Sequence, residues 1–337
     1  MLRLGIIGCG RIMEQGHSPA LQELTDQAQV ISLADPSPER RNVLGGIFAV
    51  PAGSQYESAD EMLSSEELDV VDIATPHAYH EAAIVSAAKA GVHVISEKPL
   101  ATDLDEVDRI LEAVEAAGVK LCVLHNYRYG PPSIKARELI AAGAIGDVFL
   151  VRMEGLGGGH YKGATGFDPD WRTKSAKSGG GCLIDNAYHS IYQAREMMGS
   201  PVKSVFARVE TYTRDIDVDD TAVLILNHEN GGTSVLMVSW GVSAGGAGAN
   251  EVHGTGGSIA FHRDGQPISL FDNALGEWSS PEPKADYPNS FAGIMHDAFD
   301  AIASGGKVPT PGAEARRNLE IIRAAYRSAE EGQVIEV

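Results

Sequence analysis

Cysteine is scarce in this chain. Its 337 residues hold only three, Cys9, Cys122 and Cys182. An odd number at wide spacing excludes a disulfide framework or a zinc ribbon. Long apolar runs are missing as well: none approaches the roughly 20 residues that span a bilayer. The start, Met1-Leu2-Arg3-Leu4-Gly5-Ile6-Ile7-Gly8, enters a strand-like run at once instead of a signal peptide. Basic residues are few, 27 Lys and Arg against 46 Asp and Glu, for a formal net charge of −19. Such a chain repels phosphate backbones and anionic membranes, so nucleic acid and membrane are not expected as partners. These absences together predict a reducing compartment such as the cytoplasm.

What is present is ordinary globular material. The chain is 43% hydrophobic and 22% charged, which excludes wholesale disorder. Its length predicts two domains. In the first third, apolar runs at 2–7, 30–34, 70–74, 92–96 and 120–124 lack polar alternation, as strands buried on both faces do. Helical stretches separate them: 79–90 closes at Gly91, and 103–117 opens with Glu106 placed for a capping box from Asp103 and closes at Gly118. This alternation predicts a doubly wound parallel α/β domain over 1–125. The pattern then changes. A helix is expected over 133–142, a Gly-rich aromatic stretch follows from Gly155 to Gly181, and a further helix over roughly 182–198 stops at Gly199 and Pro201. Strand-like segments fill 202–273, with Gly245-Gly246-Ala247-Gly248 as a turn or loop, and helices near 290–303 and 313–331 close the chain. Residues 126–337 therefore read as a second α/β domain with a large, mostly antiparallel open sheet.

The first strand runs into Gly8-Cys9-Gly10-Arg11-Ile12-Met13. Gly8 suits a tight turn, Gly10 lets backbone approach a pyrophosphate, and the following helix N-terminus offers free N–H groups. Met13 stands where a small third residue is usual, so strand and helix are expected to sit further apart. Asp35, at the end of the second strand, suits a ribose diol and favours NAD over NADP; Arg40 and Arg41 nearby soften that preference, so NADP stays open. Thr75-Pro76-His77 with His80, and Glu97-Lys98-Pro99, follow further strands at their carboxyl ends, where ligands of open α/β sheets gather. A lysine there can hold a substrate hydroxyl, and the Lys98–Pro99 bond is a candidate cis peptide.

The second concentration of signal is Gly179-Gly180-Gly181-Cys182-Leu183-Ile184-Asp185-Asn186-Ala187-Tyr188-His189. The glycines are expected to let backbone approach a ligand. Asp185 and His189, four apart, are expected on one helix face, where a carboxylate beside an imidazole suits a general base. His160, Cys182, Asp185 and His189 match no known zinc spacing, so no metal is expected.

Taken together, the glycine loop, Ala34-Asp35-Pro36, Thr75-Pro76 with His80, Glu97-Lys98-Pro99, Asn126-Tyr127-Arg128, Ala142-Gly143-Ala144-Ile145-Gly146, Asp170-Trp171-Arg172 and the Gly-Gly-Gly…Asp…His segment resemble the Gfo/Idh/MocA oxidoreductases over nearly the whole chain. The resemblance implies a Rossmann domain, a C-terminal α/β domain, tightly bound NAD(P), and sugar or cyclitol substrates. It implies Lys98, Asp185 and His189 as the catalytic set. It implies Gly8, Gly10, Arg11, Ile12, Asp35, Arg40, Thr75, Pro76, His80, Glu97, Lys98 and Asn126 at the cofactor. Tyr161, Trp171, Arg172 and Arg128 are candidates for the polyol, beside Lys98, Asp185 and His189. It also implies a homodimer or homotetramer built through the C-terminal sheet. Two positions depart from the family pattern: Ala187 stands where glycine is common, and Tyr192 where an acidic residue often stands. The expected reaction is hydride transfer between a secondary alcohol and the nicotinamide. Two other readings stay open: NAD recycled in place to support glycoside cleavage, epimerisation or sugar-to-sugar hydride exchange, and a non-catalytic NAD-binding sensor.

Overall fold

The computed structural model describes every residue except Gly166, Gly245, Gly246, Ala247, Gly248 and Ala285. The expected turn at Gly245-Gly246-Ala247-Gly248 therefore lies outside the described residues. The chain divides into two units. The first takes Met1–Asn126, Tyr161–Gly179 and Tyr287–Arg317, and the second takes Tyr127–His160, Gly180–Asp286 and Asn318–Val337.

The first unit is built on a six-stranded sheet of β1 (Leu2–Ile7), β2 (Ala28–Ala34), β3 (Gln55–Tyr56), β4 (Val70–Ile73), β5 (His93–Ser96) and β6 (Leu121–Val123). The order is β3-β2-β1-β4-β5-β6, and every pairing is parallel. This is the doubly wound arrangement that the apolar runs predict. The short β3 is the one strand without a sequence signal; its two residues are only half-buried. Helix Leu104–Ala117 carries the expected capping box. Asp103 Oδ1 accepts the Glu106 N–H at 2.9 Å and Glu106 Oε2 accepts the Asp103 N–H at 3.3 Å. Gly118, at φ 65°, ends that helix in the left-handed conformation.

Nine strands form the sheet of the second unit: β7 (Val148–Leu156), β8 (Val202–Glu210), β9 (Thr221–His228), β10 (Thr233–Ser239), β11 (Asn250–Gly254), β12 (Gly257–Phe261), β13 (Ile268–Asp272), β14 (Glu277–Ser279) and β15 (Ile335–Glu336). Their order is β14-β13-β12-β11-β7-β10-β9-β8-β15. The β7–β10 pair is parallel; the other pairs are antiparallel. Helix Tyr188–Met198 packs on β7 and β10, covering one face. Along β9 the alternate residues Ala222, Leu224 and Leu226 are buried, while Val223 and Ile225 are exposed. This is the period of a sheet solvated on one side.

One helix departs from expectation. Residues 182–198 are not a single α-helix: Leu183–Ala187 form a π turn before the α-helix Tyr188–Met198. A second π turn, Met13–His17, follows the glycine loop and begins at the fully buried Met13. A π turn holds more residues than an α turn, so side chains four apart no longer share the angular relation of an α-helix. Asp185 and His189 therefore span a π turn and the first turn of an α-helix, not the single α-helix that the spacing predicts. No helix among the described residues is long and apolar enough to cross a membrane.

Candidate active site

A cavity of about 470 Å³ opens along the carboxyl edge of the parallel sheet. Gly8, Gly10, Arg11, Ile12, Asp35, Arg40, Thr75, Pro76, Glu97 and Lys98 all line it. Gly8 sits at φ +94°, and a Cβ there would lie 2.8 Å from the Ala74 carbonyl carbon, so only glycine makes this turn. At Gly10 a Cβ would find nothing nearer than the Ala74 oxygen at 3.9 Å. Gly10 lines the cavity with Gly8. Asp35 follows β2 directly. Its carboxylate accepts the backbone N–H groups of Cys9 and Ser37, each at 2.8 Å, which fixes it beside the glycine turn.

The arginines nearby are engaged. Arg40 is buried and donates Nε to the Cys9 carbonyl at 2.8 Å and a terminal N–H to Glu14 at 2.5 Å. Arg41 donates to the Asp35 carbonyl. Asp35 thus stands beside the glycine turn with both arginines engaged around it.

Lys98 is buried on the wall of the same cavity, and the Lys98–Pro99 peptide is cis. Behind it lies a network of residues distant in sequence. The fully buried His17 places Nδ1 2.9 Å from Asp72 Oδ2 and Nε2 3.0 Å from Glu97 Oε1. The other Glu97 oxygen accepts the Lys98 backbone N–H at 3.0 Å. With a carboxylate on each ring nitrogen, both nitrogens must donate, so the ring is an imidazolium. Burial alone would lower its pKa, but the charges and hydrogen bonds of Asp72 and Glu97 outweigh burial and push it up to about 10. Burial would raise Glu97, yet the His17 hydrogen bond and the charges of His17 and Lys98 hold it below the usual carboxylate range. One clue was available: an aspartate inside the apolar run Val70-Val71-Asp72-Ile73 must find a partner.

Two expected cofactor residues sit elsewhere, neither being among the described residues that line the cavity. His80 is fully buried with its nitrogens 2.8 Å from the Pro99 oxygen and 2.9 Å from the Thr75 oxygen. It ties together the two loops that do line the cavity, and burial lowers its pKa despite those carbonyls. Asn126 donates to Ser290 Oγ at 3.2 Å. Conversely, Tyr161, Trp171 and Arg172, expected at the polyol, line this cavity with the glycine loop. The Arg11 and Arg172 guanidinium carbons lie 4.8 and 5.2 Å from the Tyr161 ring centre. Trp171 meets His77 edge-on at 4.7 Å.

In the second unit, the glycines serve packing. A Cβ on Gly181 would fall 1.8 Å from the Asp219 carbonyl oxygen, and one on Gly180 would fall 2.2 Å from the Tyr326 hydroxyl. The close approach is to neighbouring protein, which corrects the expectation of a ligand there. Asp219 accepts the N–H groups of Gly181 and Leu183, both at 2.7 Å, and the Tyr326 hydroxyl at 2.6 Å. It thereby caps the turn that carries Asp185. Asp185 is buried; His189 is half-buried, with Nδ1 2.9 Å from the Tyr192 hydroxyl. Arg128 donates Nε to Glu196 at 2.9 Å. Among the described residues no group of three or more His, Cys, Asp or Glu is placed to hold a metal ion.

A parallel six-stranded sheet, a glycine turn at the end of its first strand, an acidic residue after its second and a buried lysine on the same cavity define a dinucleotide-binding oxidoreductase unit. Comparison with known proteins agrees. Residues 2–125 match the model of an oxidoreductase family with an NAD-binding Rossmann fold, and residues 133–260 match the Gfo/Idh/MocA C-terminal domain. The chain belongs to the Gfo/Idh/MocA oxidoreductases. It is 27% identical to the D-apiose dehydrogenase of Rhizobium rhizogenes, over 100% of this chain and 97% of that protein. It is 30% identical to the NADP-dependent D-xylose 1-dehydrogenase 2 of Haloferax volcanii, over 71% of this chain and 70% of that protein. A crystal structure of the aldose–aldose oxidoreductase of Caulobacter crescentus, complexed with glycerol, superposes with a TM-score of 0.88 at 26% identity, covering 100% of this chain and 99% of that one.

Proposed function

We propose that the chain oxidises a secondary alcohol of a sugar, sugar derivative or cyclitol with NAD, or reduces the corresponding ketone. The reading is carried by one observation: buried Lys98 shares a cavity with Gly8, Gly10 and Asp35. A lysine on the wall of a dinucleotide site can hold the oxygen of a reacting alcohol. Residues 1–125 then serve the dinucleotide, and 126–337 serve the substrate and assembly. When bound, NAD supplies the acceptor for the hydride. The chain supplies the rest. Lys98 holds the reacting oxygen, His189 takes the hydroxyl proton at Nε2, and Asp185 stabilises the imidazolium so formed. Arg128 is assigned to polyol hydroxyls. Tyr161, Trp171 and Arg172 line the cavity and contribute there to both ligands.

The likeness to an aldose–aldose oxidoreductase favours a second reading, in which NAD stays bound and is reduced and reoxidised in place. All three cysteines are buried, which suits the cytoplasm. The exposed apolar residues Phe206, Val223 and Ile225 lie on one face of β8 and β9. That face supports a homodimer or homotetramer.

The test is nicotinamide absorbance at 340 nm (roughly the reduced-ring maximum) with a panel of sugars and cyclitols. NAD and NADP are run separately, and Lys98→Ala and His189→Gln serve as controls. Turnover with NAD that is lost in both variants is expected. Full turnover in both variants refutes the assignment. Altered sugars without free NADH select the recycled reading.

A further inference from the structure

Two tyrosines hold the His189 ring. The Tyr192 hydroxyl lies 2.9 Å from His189 Nδ1, and the Tyr127 ring stacks on the imidazole with centroids 4.0 Å apart and planes 13° from parallel. The same hydroxyl accepts the Tyr127 backbone N–H at 3.1 Å. Tyr192 is 4% exposed and sits on the same α-helix as His189. The phenol oxygen is therefore fixed by packing, and it fixes both the ring and the residue stacked on it.

A phenol oxygen has two acceptor pairs and one proton. The Tyr127 N–H occupies one pair. Two arrangements then satisfy the contact with His189. Either the ring donates Nδ1–H to the second pair, leaving the lone pair at Nε2, or the phenol donates to Nδ1 and the ring proton sits on Nε2. Only the first leaves Nε2 able to take a proton from an alcohol.

We propose that Tyr192 is a positioning residue that accepts Nδ1–H and so selects the tautomer of His189 with a basic Nε2. The inference rests on the base role assigned above to His189. A carboxylate at this place would also accept Nδ1–H, but it would add a full negative charge beside the ring. The phenol selects the tautomer without that charge. When Nε2 takes the alcohol proton, the imidazolium keeps its Nδ1–H bond to the phenol oxygen, so no group has to move during the transfer.

The experiment is imidazole 15N NMR on the full-length protein without substrate, with the His189 signals assigned by their absence in His189→Gln. The wild type is expected to carry its proton on Nδ1. In Tyr192→Phe the proton is expected to move to Nε2, and Tyr192→Glu, which only accepts, is expected to return it to Nδ1. A wild-type proton on Nε2, or an unchanged tautomer in Tyr192→Phe, overturns the proposal. The wild-type spectrum decides even if a variant fails to fold. With the sugar or cyclitol found in the panel, Tyr192→Phe is expected to lower kcat by about 10- to 100-fold with KM little changed, and Tyr192→Glu to recover part of it. Turnover retained in His189→Gln would refute the base role itself and leave the tautomer result standing, so the two failures are distinguishable.

Discussion

Replacing His17 by glutamine tests the charge network behind Lys98. In the native protein the imidazolium bridges two carboxylates, at 2.9 Å from Asp72 and 3.0 Å from Glu97. The remaining Asp72 oxygen, Oδ1, is buried with no hydrogen-bond partner among the described residues, so Asp72 depends on His17. Phe291 lies against the ring, with centroids 4.8 Å apart and planes tilted by 44°, and supplies no charge. Removing one partner from a buried ionic group costs about 3–5 kcal/mol, because the other charges are stranded. At about 2–4 °C per kcal/mol for a unit of this size, the melting temperature should fall by roughly 6–20 °C.

The pH dependence makes the test specific. The folded pKa of His17, about 10, lies above its ordinary value of 6.5. Below pH 6.5 both states hold the proton and the contribution is complete. Between these values the folded state binds a proton that the unfolded state lacks, so stability falls as pH rises, by about 1.4 kcal/mol per pH unit from this one group. Thermal and urea melts from pH 6 to 10 read the difference between wild type and His17→Gln, which cancels groups common to both. The advantage of the wild type should be largest near pH 6 and shrink toward pH 10. Adding Asp72→Asn to the variant should recover part of the loss, since one stranded charge is gone. A loss below about 1 kcal/mol, or a difference that grows with pH, would refute the reasoning.

Two further outcomes follow from geometry. Gly181→Ala drives a Cβ to 1.8 Å from the Asp219 oxygen; overpacking of this kind costs about 1–3 kcal/mol or more. It should appear as a lower melting temperature and faster amide exchange over Leu183–Ala187, whereas wild-type behaviour would contradict the packing role. Ile225→Asp, on the exposed face of β9, should shift sedimentation toward monomer while changing the stability of the unit by no more than about 0.5 kcal/mol. An unchanged sedimentation coefficient would move the assembly surface elsewhere.

Much of this protein follows from local pattern. The runs at 2–7, 70–74 and 120–124 are rich in apolar residues and lack polar alternation, as strands of a parallel sheet do. Gly8 and Gly118 mark positions where the chain must take positive φ, and Asp103 with Glu106 writes a helix start. Asp35 and Lys98 are legible as cavity residues because Asp35 directly follows β2 and Lys98 lies two residues beyond β5, both at carboxyl ends that the strand order places together.

What the sequence could not announce depended on partners distant along the chain. His17, Asp72 and Glu97 come from three separate segments, and only folding brings both carboxylates to the imidazole and raises its proton affinity. His80 and the triple glycine look like ligand contacts in one dimension. In three dimensions His80 sits between the carbonyls of Thr75 and Pro99, and the glycines admit the close approach of Asp219 and Tyr326. The π turns at Met13–His17 and Leu183–Ala187 leave no periodic signature, yet they set where His17 and Asp185 point. Periodicity and turn chemistry are properties of neighbours in sequence, so the sequence by itself determined the sheet, the glycine turn and the family. Protonation, side-chain pairing and the orientation of His189 depend on charges and donors brought together through space, and those the tertiary structure alone decided.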